Sequence, residues 1–115
     1  VFGVRVQDLS TYFRALADRK RLHIVELLAE RDSMTVTQLG EELRLSQPLI
    51  SWHLRILRKA GIISTRRQGR LVWCSLNRPT LSRYQEQIAE SLGLDTERAG
   101  EGRPRLKAVK TASER

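Results

Sequence analysis

Residues 46–70, SQPLISWHLRILRKAGIISTRRQGR, decide the reading of this chain: a helix, a sharp stop and the opening of a strand hairpin. Ser46 can cap the first unpaired N–H groups, and Pro48 lacks the N–H that a first turn leaves without a partner, so the helix starts near Gln47. Ile50, Leu54 and Leu57 recur at i, i+4 and i+7 and mark the face to be buried, while Gly61 after Ala60 supplies a left-handed stop. At about 100° per residue, Gln47, Pro48, Ser51, Trp52 and Arg55 share one sector roughly opposite that face. An amide suited to adenine, a guanidinium suited to guanine, a small hydroxyl and a flat ring are the chemistry of major-groove readout. Beyond the helix, Arg66, Arg67 and Arg70 surround Gln68-Gly69, the expected hairpin tip, where they would sit on phosphates or in the minor groove.

A chain of 115 residues is one small domain, near the size at which dimerisation adds valuable buried area. The formal charge of +8 favours a polyanionic partner. Its distribution says more than its total: from Leu43 to Gln85 there is no Asp or Glu, yet Arg44, Arg55, Arg58, Lys59, Arg66, Arg67, Arg70, Arg78 and Arg83 all fall there. A single cysteine excludes an intrachain disulfide framework, and no stretch approaches the roughly 20 apolar residues of a membrane span. A cytoplasmic protein without a membrane partner is expected. No signal peptide is visible, and native residues are expected to precede Val1.

Working outward, residues 7–17 place Leu9, Phe13 and Leu16 on an amphipathic helix with Tyr12 beside the stripe. Residues 19–29 form a second helix with a wide apolar face of Leu22, Ile24, Val25, Leu27 and Leu28. A turn at Arg31-Asp32-Ser33 and an extended Met34 lead to Thr35, which makes a capping-box pattern with Gln38 and opens a third helix over 36–43. The short link Arg44-Leu45-Ser46 then enters the basic helix, so the pair reads as a helix-turn-helix. Strands over 62–66 and 71–76 make a wing, with Val72, Cys74 and Leu76 on one face and Leu71, Trp73 and Ser75 on the other. After Asn77 and Pro79, Leu81, Tyr84, Ile88 and Leu92 form a narrow seam on a polar helix, which suits pairing across a dimer. Residues 1–92 thus make a DNA-binding and dimerisation domain, and residues 93–115 read as a basic, disordered tail. The fold class is mainly α with a small β-hairpin: a dimeric winged helix-turn-helix.

RALADRKRLHIVELL, LGEELRLSQPLISWHLRILRKAGII and RRQGRLVWCSL together resemble the ArsR/SmtB winged helix-turn-helix repressors of bacteria and archaea over about residues 8–92. The resemblance implies a homodimer built on the first and last helices, with Leu9, Phe13, Leu81, Tyr84, Ile88 and Leu92 at the interface. It also implies a roughly palindromic operator and release by an effector that the sequence leaves unidentified. Many such proteins sense metals through Cys-x-Cys at the start of the third helix, and here those places hold Thr35 and Thr37. The last-helix ligand places hold Arg78, Thr80, Ser91 and Leu94, which form no ligand set for zinc or nickel. Arg19 and Lys20 replace the Pro-Thr of many relatives. No metal or cofactor is expected.

Lone histidines are ordinarily structural: His53, at the margin of the buried sector, reads as a packing residue, and His23 as a solvated one. Cys74 faces inward and reads as a small hydrophobe. The resulting function is a sequence-specific, double-stranded-DNA-binding transcriptional regulator, a repressor that does not respond to metal. The alternative is a winged-helix interaction module that binds protein or RNA through its basic face; survival of a discrete complex with duplex DNA under excess nonspecific competitor separates the two. With no nucleophile–base pair, phosphate loop or paired acids, an enzyme is not expected.

Overall fold

Local capping chemistry sets most element boundaries in the computed structural model, which describes residues 6–94. The order is α1 (Val6–Leu16), α2 (Arg19–Arg31), β1 (Ser33–Thr35), α3 (Val36–Leu43), α4 (Gln47–Lys59), β2 (Ile63–Gln68), β3 (Leu71–Leu76) and α5 (Arg78–Ser91). The Thr35 hydroxyl accepts from the Gln38 N–H at 3.1 Å while the Gln38 side chain accepts from the Thr35 N–H at 2.9 Å, so the capping box is complete. Ser46 caps α4 through the Leu49 N–H. At the other end of α4, Gly61 at φ 77° donates to Arg58 O at 2.9 Å and Ile62 donates to Leu57 O at 3.0 Å. These two bonds need a left-handed residue between them, which is why Gly stands there. Between α3 and α4, Arg44 turns the chain at φ 58° and Leu45 donates to Gly40 O at 2.9 Å, giving the tight turn of a helix-turn-helix.

The sheet differs from the sequence expectation. It has three antiparallel strands in the order β1-β3-β2, because residues 33–35 pair with β3 in the register Ser33↔Ser75, Met34↔Cys74 and Thr35↔Trp73. Three residues carry too little alternation to announce a strand, and the partner lies some forty residues downstream. The hairpin turn also shifts by one residue: Gln68 pairs with Leu71, so Gly69-Arg70, with Gly69 at φ 63°, form the turn in place of Gln68-Gly69. Glycine leading a two-residue loop is the arrangement whose twist matches the strands.

The core gathers Ile24, Leu28, Leu39, Ile50, Leu57, Ile62 and Cys74, all fully buried, between the helices and the inner face of the sheet. On α1 the chain buries Tyr12 and Ala15 and leaves Phe13, expected at the dimer interface, half exposed. The expected face of α2 is rotated. On α2 Leu22 is 47% exposed, and Arg21 is buried beside Ile24, Leu27 and Leu28. The cause is helical drift: Leu22, Val25 and Leu28 are spaced by three, so Leu22 and Leu28 stand about 120° apart and cannot share one narrow face. Among the described residues no helix is long and apolar enough to cross a membrane. Of the disordered tail expected over 93–115, Gly93 and Leu94 instead close the end of α5, donating to Glu90 O at 3.1 Å and Ala89 O at 2.7 Å, and the rest lies outside the described residues.

Arg21 holds three helices together. Its Nε donates to Ala15 O at 2.7 Å and its Nη2 lies 3.5 Å from Arg14 O, satisfying the last carbonyls of α1, while Nη1 stands 3.1 Å from His53 Nδ1 on α4. Arginine has no acceptor, so Nδ1 must carry its lone pair and the His53 proton sits on Nε2. Burial depresses the His53 pKa below its ordinary value, and the charges of Arg21 and Lys20 add to that while Asp18 opposes it. An unfolded chain therefore takes up a proton near the usual histidine pKa of 6.5 that the folded chain resists. Stability contributed by neutral His53 is complete above that value and is lost as the pH falls below it. Urea unfolding should give lower stability at pH 5.5 than at pH 7.5, and His53→Gln, which keeps an acceptor without titrating, should flatten that difference. An identical pH slope in both proteins would rule His53 out as its source.

Candidate nucleic-acid interface

The burial of Ile50, His53, Leu54 and Leu57 fixes which arc of α4 remains outside. Gln47, Pro48, Trp52 and Arg55 are exposed and Ser51 is half-buried, so all five sequence-selected positions lie on the outward arc. Arg58 and Lys59, also exposed, complete it. Sequence reasoning counted their charge without placing them in the site, although Arg58 follows Gln47, Ser51 and Arg55 around the same side at about 100° per residue. Trp52 sits at the far edge, 48% exposed, with Arg21 behind its ring.

The wing closes one side of this arc into a cleft of about 360 Å³. Arg55, Arg58, Arg67 and Arg70 line it together with Gln47 and Ser51, and no carboxylate is among its lining residues. Four guanidiniums without a nearby acid produce a field that attracts polyanions. β1 explains the geometry: it ties β3 to the start of α3, and Thr35, Val36 and Thr37 form the cleft's third wall. The three wing arginines part company here. Arg67 pairs across from Val72 and turns into the cleft, Arg70 joins it from the turn, and Arg66, opposite Trp73, projects from the other face of the sheet. A second hollow, of about 550 Å³ on another flank of α3, mixes Arg31 and Arg44 with Glu41 and Glu42 and has no such bias.

A second surface lies along α1 and α5. Tyr12 stacks on Tyr84 with centroids 4.3 Å apart, joining the two helices within the monomer. Leu9, Leu81, Tyr84 and Ile88 are half-buried, whereas Phe13 is 50% and Leu92 68% exposed. Cys74 is fully buried, and desolvation pushes its thiol up to about 11 against a small opposing pull from Arg58, so it stays a protonated, inert thiol.

Comparison with known proteins places these surfaces in context. A model of bacterial regulatory proteins of the arsR family matches residues 18–65, from the cap of α2 into β2. An HTH-type transcriptional regulator of Methanocaldococcus jannaschii is 51% identical over 65 residues, 56% of this chain and 73% of that protein. The transcriptional repressor SdpR of Bacillus subtilis is 38% identical over 73 residues, 64% of this chain and 80% of SdpR. Among solved structures, the crystal structure of an ArsR family transcriptional regulator aligns with a TM-score of 0.69 at 27% identity, covering 77% of this chain and 91% of that one.

Proposed function

The chain belongs to the arsR family of bacterial regulatory proteins, DNA-binding transcriptional regulators with a winged helix-turn-helix, and from that premise we propose that it is a repressor acting as a homodimer on an approximately palindromic operator. One observation carries the proposal: the outward arc of α4 and the wing open together onto a cleft with four arginines and no acid. In this reading Gln47, Ser51, Trp52 and Arg55 meet base edges, Pro48 lines the groove wall, and Arg67 and Arg70 hold the backbone from within the cleft, with Arg66 on the other face of the wing outside it. Two half-sites follow from two-fold symmetry, so the operator repeats once per protomer.

The dimer surface in this reading is the α1/α5 face, because Phe13 and Leu92 are large apolar side chains left in water on adjoining helices. Phe13→Glu tests it with little cost to the monomer, since the ring is half exposed and α1 keeps Tyr12 and Ala15 in the core. Each such side chain contributes roughly 1.5–3 kcal/mol when buried. Sedimentation should show a monomer for this variant, and an unchanged dimer would place the interface elsewhere.

The residues at the family's metal-ligand places do not fit an ion. The Thr35 hydroxyl is buried and occupied by the α3 cap. Thr80 Oγ1 accepts from Arg83, Ser91 Oγ accepts from Gln87, and Arg78 is a cation 3.9 Å from Asp32. Neutral hydroxyls already engaged in hydrogen bonds cannot supply the Cys, His or carboxylate donors that a tight site requires. We infer a regulator governed by something other than a metal ion. Operator affinity measured by fluorescence anisotropy should stay unchanged with zinc, nickel, cadmium or arsenite, and a chelator-reversible loss of about tenfold would overturn this reading.

The division of labour between helix and wing is testable by substitution. Arg55→Ala should cost about 1–3 kcal/mol at one base position per half-site and relax specificity there. Arg67→Ala should weaken all duplexes alike and flatten the slope of log K against log salt by about 1–2 for a dimer. If both variants change specificity and salt slope in the same way, helix and wing do not divide the work.

A further inference from the structure

Trp52 is a half-exposed ring on the rim of the reading arc, and part of what holds it comes from another helix. The Arg21 guanidinium lies 5.7 Å from the Trp52 ring centroid, and the edge of His53 meets the same ring at 5.0 Å and 62°. Arg21 is itself a fixed plate: 7% exposed, it is held by Ala15 O at 2.7 Å and His53 Nδ1 at 3.1 Å, and its own backbone N–H is held by the Asp18 carboxylate at 3.1 Å. A cation 5.7 Å behind an indole attracts its face and disfavours rotamers that would swing the ring away. Lysine cannot reproduce this, because a point charge on a flexible stem does not donate to a carbonyl and a ring nitrogen at once in the fixed directions of a guanidinium fork.

We propose that Arg21, acting with His53, is a positioning residue for DNA reading: it fixes the orientation in which Trp52 meets the groove, without touching DNA itself. The inference rests on α4 being the base-reading helix. It extends the site to a residue on α2 whose side chain points away from the cleft and into the core.

The experiment uses the full chain with Trp73→Phe, which leaves Trp52 as the single tryptophan and removes an indole N–H that has no hydrogen-bond partner to lose. The probes are duplexes that the wild-type protein selects from a randomised pool and a scrambled duplex of equal length. Arg21→Lys and His53→Leu should shift the Trp52 emission and lower its anisotropy, and should reduce the selected-to-scrambled affinity ratio by about fivefold or more. Affinity for the scrambled duplex and its salt slope should stay within about twofold, since no phosphate contact is lost. His53→Gln, which restores an acceptor for Arg21, should recover both the emission and the ratio. A merely structural role would lower both affinities by one factor and leave their ratio intact, and that result overturns the proposal. Should Arg21→Lys fail to fold, His53→Leu against His53→Gln decides it by the same readouts. A wild-type protein that enriches no sequence would sink the base-reading proposal instead, while the emission comparison would still decide whether Arg21 orients Trp52.

Discussion

A guanidinium buried in a small hydrophobic core is the constraint around which the helices are arranged. Removing a charge from water costs several kcal/mol even after relaxation, so Arg21 is tolerable only where its donors are met in good geometry. They are met by the carbonyl end of α1, where the helix dipole adds negative potential, and by a histidine held in one tautomer. Asp18 completes the arrangement at the cap of α2: burial works against its ionisation, yet the Arg21 backbone N–H and the Arg21 charge hold its pKa below the usual value. Donor directions of an arginine fork are rigid, so satisfying them fixes how α1, α2 and α4 cross. The outward arc of α4 is a consequence of that crossing.

The second organising feature is segregation of charge along the chain. Acids cluster on other faces, at Glu41 and Glu42 of α3 and Glu86 and Glu90 of α5, while α4 and the hairpin carry only positive charge. Segregation in sequence becomes a site only because β1 ties the wing down. The strand joins β3 to the start of α3, and the Asn77 N–H donates to Ile62 O at 2.9 Å where the hairpin closes. Arg67 and Arg70 are thereby held opposite Gln47 and Ser51 instead of swinging on a free hairpin. The like charges repel, and a phosphate between them would reverse that into attraction.

What could be read from the sequence follows the range of the interactions. The Thr35–Gln38 box, the Ser46 cap and the Gly61 stop are contacts between residues three to five apart, and each was legible and landed where it was expected. The outward arc of α4 was legible because its buried face is unambiguous. β1 was not, since three residues hold no pattern and the pairing is long-range. Arg21 was not, because an arginine in a helix rich in charge reads as solvated, and its acceptors are contributed by α1 and α4. Leu22 was misplaced for the complementary reason: an apolar residue was given to the core by spacing, when the centre of the buried face lies on the other side. One signal was available, since at about 100° per residue Arg21 lies between Leu28 and Val25 on the helix, about 20° from Leu28, where an exposed residue does not belong.

The two surfaces the monomer leaves open are joined by the same residues. α1 carries Phe13 outward, Tyr12 against Tyr84 of α5, and at its end the carbonyls that hold Arg21. In a dimer closed through α1 and α5, the order imposed on α1 is carried to the guanidinium, and from there to His53 and the ring of Trp52. A protomer whose α1 is frayed has lost the acceptors for a buried charge, which must then rearrange or reach water and release the reading helix. If the proposed α1/α5 dimer and the proposed contact of Trp52 with DNA both hold, dimerisation and DNA reading are thermodynamically linked, and the linkage runs both ways. Such coupling requires no metal at the helix ends. It requires only that one cation, placed where three helices meet, be too costly to leave unpaired.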